Sequence, residues 1–453
     1  MSQDPRPDVV LIHCHDLGRW LPTYGMSRVP APHLSAFADE AIVFENAHAT
    51  APLCSPARAS LFTGMTPYRH GVQGLTHNAW RYREDVLTAP ERIRPLGYRS
   101  ALIGLQHENV DPTVLGFDEV PGQGFLPRAG QVVDAASGWL DTLDPLPSRD
   151  PLLLTIGTWE VHRPWPAEDY VHADPSDVDV PAYLPDTAET REDIAAFYGS
   201  IAQFDAAFGR LMEKIDRTMD PASTMVIVTT DHGAAFPRAK STLYDAGTGV
   251  AFLVRPPGSW DVEPHRVDRL VSHLDLTPTL IDLAGGDIPD CLEGRSLLPL
   301  LRGQDPGGDD GRIVVTSKTH HDAYDPKRAA RTRDLVYIRN YAEGPLLELA
   351  ADLEGSITRR GMGDDHLAPR PAEELYDRST DPDELTSVLD DPAYGEDRRR
   401  LSAALDAWIA MTGDPVGDGP VAAAPARTRA GDGLPPVPAL DRTAARTTKD
   451  LTS

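Results

Sequence analysis

Four short segments that lead into polar side chains constrain the fold of this chain most strongly. Three are largely apolar runs, at residues 8–12, 152–157 and 224–230, and the fourth, at 97–104, reads as a turn followed by a strand. Apolar runs of this length are typical of strands buried on both faces of a parallel sheet. Open α/β sheets build their sites just beyond the carboxyl ends of such strands. The sequence therefore predicts an α/β fold whose functional residues follow these strands.

The rest of the chain predicts how this sheet is extended and where it ends. Apolar residues recur at helical spacing from 192 to 215, which predicts a helix packed on the core. A Gly/Asp-rich break near residue 305 marks a domain boundary. We predict a catalytic domain over residues 1–305 and a C-terminal subdomain with a small antiparallel sheet over 306–412. Residues 413–453 contain no aromatic side chain and no periodicity, so we predict a disordered tail there.

Charge and cysteine content restrict the partners and the compartment. The formal net charge of −26 argues against nucleic acid or an anionic membrane as a partner. The chain has 3 cysteines, which is no disulfide framework and suits a reducing compartment. It shows neither a signal peptide nor an apolar run of roughly 18–20 residues. We expect a cytoplasmic protein with no membrane partner, and these features leave its oligomeric state open.

The stretch from residue 51 to 71 carries the most informative local pattern. Cys54 is followed by Pro56 and Arg58, and then by a short apolar run ending in Thr-Gly. Proline suits the first turn of a helix, which would place Cys54 just before an anion-favouring N-terminus. Arg58 would lie one turn along on the same face, where its permanent charge holds a nucleophile in its ionised form. Without its context, the pattern also fits a buried structural cysteine beside a solvent-facing arginine.

The same stretch resembles the signature of the type I sulfatases, which belong to the alkaline phosphatase superfamily. The resemblance covers roughly residues 8–412 and implies that a maturation enzyme oxidises Cys54 to formylglycine. One hydroxyl of the formylglycine hydrate would attack sulfur, and the second would then lose a proton and expel sulfate. The family fold is α/β, with a large, mixed, mostly parallel sheet between helices and a smaller C-terminal α+β subdomain.

Two polar pairs that follow predicted strands resemble the metal-binding motifs of this family. They are His15-Asp16 and Asp231-His232, and the first aspartate of the family's leading pair is a histidine here. The resemblance implies one divalent cation, held by His15, Asp16, Cys54, Asp231 and His232. Carboxylates suit calcium, the usual metal of the family, whereas imidazoles shift the preference towards manganese or zinc. A half-exposed loop histidine is the alternative interpretation of His15.

Three further residues match positions that bind or protonate the sulfate group in the family. His107 ends a Leu-Gln-His segment where many sulfatases have Gly-Lys-Trp-His, so Leu105 replaces the family lysine. His162 lies in a His-x-Pro loop, and Lys240 precedes a Leu-Tyr-x-x-Gly segment. The resemblance implies that Arg58 holds the hydrate and that Lys240 and His162 neutralise sulfate. Either His107 or His162 would transfer the proton, and the sequence does not divide these roles.

The resemblance therefore predicts a sulfatase acting on a small sulfated substrate, either a sulfate ester or a sulfamate. The Asp-His-Gly segment and the Phe-Pro loop after it are more similar to N-sulfoglucosamine sulfohydrolases than to arylsulfatases, which favours a sulfated sugar. A phosphonate or phosphate ester hydrolase of the same superfamily is the alternative enzyme. A non-catalytic binding relative is favoured by the missing metal aspartate and lysine, whereas the retained Cys54, Arg58 and Lys240 argue for catalysis.

Overall fold

The computed structural model describes residues 6–121, 128–146, 148–304 and 311–420. The predicted domain boundary at 305/306 lies outside the described residues, as do residues 421–453 of the predicted tail.

The centre of the molecule is a seven-stranded sheet. Its strands are β1 Asp8–Cys14, β2 Ile42–His48, β3 Arg99–Gly104, β4 Leu152–Gly157, β5 Thr224–Thr230, β6 Phe252–Arg255 and β7 Arg266–Ser272. Their order across the sheet is β3-β4-β1-β5-β6-β2-β7. Strand β6 is antiparallel to β5 and β2, and the other neighbours pair in parallel. The predicted mixed, mostly parallel sheet is confirmed.

Both faces of this sheet are covered, which explains why its central strands are apolar without alternation. In β1, Val10 and Ile12 belong to one hydrophobic core, and Val9 and Leu11 belong to the core on the opposite face. All four side chains are at most 1% exposed. A strand buried on both faces needs apolar residues at every position.

Helices of very different lengths flank the sheets. They are α1 Pro32–Asp39, α2 Cys54–Thr63, α3 Pro67–His70, α4 Ala89–Ile93, α5 Ala129–Leu140, α6 Ala188–Thr218, α7 Asp245–Thr248, α8 Leu276–Leu283, α9 Leu298–Leu301, α10 Ala351–Glu354, α11 Ile357–Gly361 and α12 Gly395–Thr412. Helix α6 extends the helix predicted over 192–215 at both ends, and Thr187 caps its first turn by accepting from the Thr190 N–H. None of the described helices is both long and apolar enough to cross a membrane.

A second, four-stranded sheet follows the first along the chain. It contains β8 Val314–His320, β9 Tyr324–Arg331, β10 Leu335–Asn340 and β11 Glu373–Asp377, all antiparallel, in the order β11-β10-β9-β8. Helix α12 packs on one face through Leu401 and Leu405. The other face contributes Ala329 and Val336 to a core shared with the large sheet. The turn between β8 and β9 lies against the loop between β5 and α7, where His321 Nδ1 is 3.0 Å from Ser241 Oγ.

The residues after α12 pack against this second sheet as far as they are described. The Asp414 carboxylate is 5% exposed and accepts a hydrogen bond of 2.6 Å from Arg328 Nε. Val416 is 3% exposed. The packed chain therefore extends beyond residue 412.

Candidate active site

Four parallel strands deliver polar side chains to one edge of the large sheet. Strand β1 is followed by His15 and Asp16, and the neighbouring β5 is followed by Asp231 and His232. Strands β3 and β4 lead into the loops that carry the two remaining predicted histidines. Helix α2 begins beside these strand ends, at Cys54. Parallel strands bring their carboxyl ends to the same edge, so segments far apart in sequence meet here.

The five predicted metal ligands form one buried cluster. Each of them contributes a donor atom, and these atoms all lie within 4.8 Å of one another. His15 Nδ1 is 2.8 Å from Asp16 Oδ1 and 3.1 Å from Asp231 Oδ2. His232 Nε2 is 3.0 Å from the same Asp16 oxygen. His15 is fully buried, so the interpretation of it as a half-exposed loop residue is wrong.

Several atoms of this cluster have unused hydrogen-bonding capacity. Among the described residues, His15 Nε2 is buried without a hydrogen-bond partner, and His232 Nε2 and Asp231 Oδ2 have charged neighbours at 3.0–3.1 Å but no aligned hydrogen bond. Buried polar atoms are nearly always satisfied, so each exception calls for an explanation. Imidazole nitrogens and carboxylate oxygens that converge on one point are the donor set of a divalent metal ion. The residues present therefore fit a bound cation.

Electrostatic interactions within the cluster set the protonation of its members. Burial alone would lower the pKa of His15, but the negative charges of Asp231, Cys54 and Asp16 raise it to about 9. Burial would raise the pKa of the Cys54 thiol. The positive charges of His15 and Lys240 outweigh burial, and together with a hydrogen bond from His107 they hold this pKa well below its usual range. Cys54 is therefore stabilised as a thiolate, the form in which cysteine reacts.

Arg58 lies inside the cluster and not at the surface. Its side chain is 1% exposed, and Nη2 lies 3.1 Å from both Asp231 Oδ2 and the Cys14 carbonyl oxygen. Its second terminal nitrogen donates to His13 Nδ1. The interpretation in which this arginine faces solvent is wrong. Cys54 itself is the first residue of α2, one position further into the helix than we predicted.

Lys240 is the second buried cation of the site. Its ammonium group donates to Asp16 Oδ2 at 2.7 Å and to Asp352 Oδ2 at 2.7 Å, and it lies 3.3 Å from His162 Nε2. The predicted lysine and histidine are thus in direct contact. Asp352 is a residue that the sequence analysis missed, since its Ala-Asp-Leu-Glu context carries no motif.

The predicted histidines line the same site. The His15 ring lies 4.5 Å from that of His162 and 6.0 Å from that of His107, measured between centroids. His162 packs against the Trp159 ring at 4.2 Å, which fixes its orientation. Burial, followed by the positive charge of Lys240, lowers the pKa of His162 to about 4. His162 is therefore neutral near pH 7.

Two neighbours of these residues do not add charge to the site. Arg163, which follows His162 in the chain, directs its guanidinium to Asp193 at 2.8 and 2.6 Å. Leu105, which stands at the family lysine position, is 4% exposed and apolar. Among the described residues, Arg58 and Lys240 are therefore the cations in contact with the metal-type cluster.

Comparison with known proteins places these residues in a family context. The profile of the sulfatase family matches residues 7–286, and that of the N-sulphoglucosamine sulphohydrolase C-terminal region matches residues 236–350. The chain is similar to human N-sulphoglucosamine sulphohydrolase, with 26% identity over 465 residues that cover 90% of this chain and 91% of the relative. It is also similar to an ulvan-active sulfatase of Formosa agariphila, with 25% identity over 90% of this chain and 76% of the relative.

Solved structures share the fold at lower identity. BT4656, in complex with its substrate D-glucosamine-2-N,6-O-disulfate, has a TM-score of 0.70 at 16% identity, covering 91% of this chain and all of that one. The phosphonate monoester hydrolase of Agrobacterium radiobacter has a TM-score of 0.66 at 21% identity, covering 90% of this chain and 96% of that one. At these identities the likeness establishes the alkaline-phosphatase-like fold.

Proposed function

The chain belongs to the sulfatase family of sulfuric ester hydrolases, and we propose that it hydrolyses a sulfate ester or sulfamate of a small sugar at Cys54. The observation that carries this proposal is the meeting of Cys54, a five-residue metal-type cluster and two buried cations at one sheet edge. The similarity to an N-sulphoglucosamine sulphohydrolase and to ulvan-active sulfatases supports a sulfated sugar as the substrate.

Two groups formed or bound at this site would supply the chemistry that ordinary side chains lack. A divalent cation held by His15, Asp16, Asp231 and His232 would act as a Lewis acid on the sulfate oxygens. Formylglycine made from Cys54 by a maturation enzyme would supply a nucleophile that is regenerated after each turnover. The family favours calcium as the cation, while the two imidazoles support manganese or zinc.

The protein's own side chains would bind and orient the anionic substrate. Lys240 is positioned to neutralise the sulfate, since its ammonium group lies at the boundary between the cluster and His162. Arg58, paired with Asp231, would hold the hydrate formed at position 54. His162, neutral at pH 7, would accept a proton, which leaves His107 to donate one to the leaving group.

A panel of substrates tests this function. The purified protein would be assayed with a sulfated monosaccharide, an N-sulfated amino sugar and a phosphonate monoester, all at the same concentration. We expect turnover of the sulfur compounds to exceed that of the phosphonate, and Cys54→Ala to remove it. Faster turnover of the phosphonate would instead support the phosphonate ester hydrolase alternative. Binding without turnover of any member would support a non-catalytic relative.

A further inference from the structure

The ammonium group of Lys240 has no donor left for a substrate. An ammonium group has three N–H donors, and three acceptors surround this one: Asp16 at 2.7 Å, Asp352 at 2.7 Å and His162 at 3.3 Å. A sulfate oxygen that binds Lys240 must therefore replace one of these acceptors or lie directly beside it.

Two of the three acceptors are held firmly by other contacts. Asp16 is fully buried and lies against both His15 and His232. His162 is fixed by its packing on Trp159 and by contact of its Nδ1 with a backbone carbonyl oxygen. Moving Asp16 away from the ammonium group would break the cluster, and moving His162 would break its packing on Trp159.

Asp352 differs from them mainly in how few contacts hold it. Its side chain is 24% exposed, compared with 18% for His162 and 0% for Asp16. Among the described residues, Lys240 is its one hydrogen-bond or ion-pair partner. It lies on α10, a four-residue helix whose first N–H donates to the exposed Asp322. Asp352 is thus the acceptor that faces the substrate.

A carboxylate in this position restricts what can lie next to the bound sulfate. The Asp352 carboxylate repels any negative charge placed beside it. An anionic group next to the sulfate of the substrate is therefore disfavoured. A neighbouring ammonium or hydroxyl group would instead donate to Asp352 in a charge-assisted hydrogen bond. The pair formed by Lys240 and Asp352 can therefore bind a sulfate and an adjacent donor together.

We propose that Asp352 is a specificity-determining residue that accepts a hydrogen bond from an ammonium or hydroxyl group beside the substrate's sulfate. This inference rests on the proposed function for the role of Lys240 in sulfate binding. It narrows the substrate class to sulfates of amino sugars or polyols, and it disfavours sulfates whose neighbouring groups are apolar or anionic.

Matched probes that differ in one group test the inference by binding alone. Calorimetry on the metal-loaded Cys54→Ala protein would compare ethyl sulfate with 2-aminoethyl sulfate and 2-hydroxyethyl sulfate. We expect the two donor-bearing probes to bind at least about tenfold more tightly, the range given by a hydrogen bond to a charged group. Adding Asp352→Asn should remove this preference and strengthen ethyl sulfate binding, because the repulsion disappears.

Two further variants separate recognition from structure. Asp352→Glu keeps the charge and should retain the preference. Glu354→Gln removes a carboxylate from the same helix, where it faces Arg359 at 3.5 Å, and should change nothing. If Asp352→Asn leaves the preference intact, or if no sulfate binds, the inference is overturned. If the preference holds but protein whose Cys54 has been matured to the aldehyde hydrolyses no sulfate or sulfamate, the proposed function fails and the recognition by Asp352 stands.

Discussion

Replacing Arg58 with methionine should destabilise the protein as well as inactivate it. Arg58 is 1% exposed, and its guanidinium lies 3.1 Å from Asp231 Oδ2, a carboxylate that is itself fully buried. Removing one partner of a buried ion pair leaves the other charge uncompensated, which costs about 3–5 kcal/mol. Asp16 keeps Lys240 as its own partner at 2.7 Å, so the uncompensated charge is that of Asp231.

Urea unfolding of the metal-free protein would measure this cost. We expect the free energy of unfolding of Arg58→Met to fall by about 3–5 kcal/mol. A divalent cation bound beside Asp231 should restore part of this loss. A cation present at 100 times its dissociation constant adds about 2.7 kcal/mol to the free energy of unfolding. The control is Arg69→Met, because Arg69 is 28% exposed and lies 3.7 Å from its nearest carboxylate. Loss of activity with unchanged stability would contradict the role of Arg58 as the counter-charge of the buried Asp231 carboxylate.

Two further predictions address the metal preference and a buried charge outside the site. His15→Asp should increase the ratio of calcium to manganese retained after dialysis against an equal mixture, because a hard oxygen replaces an imidazole; an unchanged ratio would mean that His15 binds no metal. Burial lowers the pKa of Lys327 from 10.5 to about 8, so its charge destabilises the fold fully below pH 8 and progressively less up to pH 10.5. Asp325 keeps Lys318 at 2.6 Å and Arg370 as partners, so Lys327→Met should unfold at higher temperature at pH 7, with the difference vanishing above pH 10.5; an equal difference at both pH values would contradict this.

The polar residues at the edge of the large sheet could be predicted because the sequence patterns of the strands before them are strong. Largely apolar runs of five to seven residues mark strands buried on both faces, and the polar residues after them necessarily follow the carboxyl ends. The positions of Asp16 and Asp231 could therefore be anticipated from β1 and β5. Strand β9 was not predicted, because it contains a proline and several charges. Its Asp325 is nevertheless buried, since Lys318 and Lys327 pair with it at 2.6 and 3.3 Å.

Contacts between segments that are far apart in the chain could not be predicted from the sequence. Asp352 is 112 residues from Lys240, and the two meet because α10, in the connection between β10 and β11, packs beside the site. The burial of Arg58 also depends on the carboxylate that β5 delivers, and nothing in the local motif specifies it. Local periodicity encodes strands and helices, whereas the pairing of buried charges is set by the assembled fold.

The most direct test of the proposed mechanism is the chemical state of Cys54 measured together with turnover. Trypsin releases residues 29–58 as one peptide in which Cys54 is the sole cysteine. Mass spectrometry of preparations made with increasing amounts of the maturation enzyme gives the aldehyde fraction of each, and the same preparations are assayed for sulfate release. We predict that kcat rises in proportion to the aldehyde fraction and extrapolates to zero without it. Full sulfatase activity in protein that carries only the thiol would contradict the account.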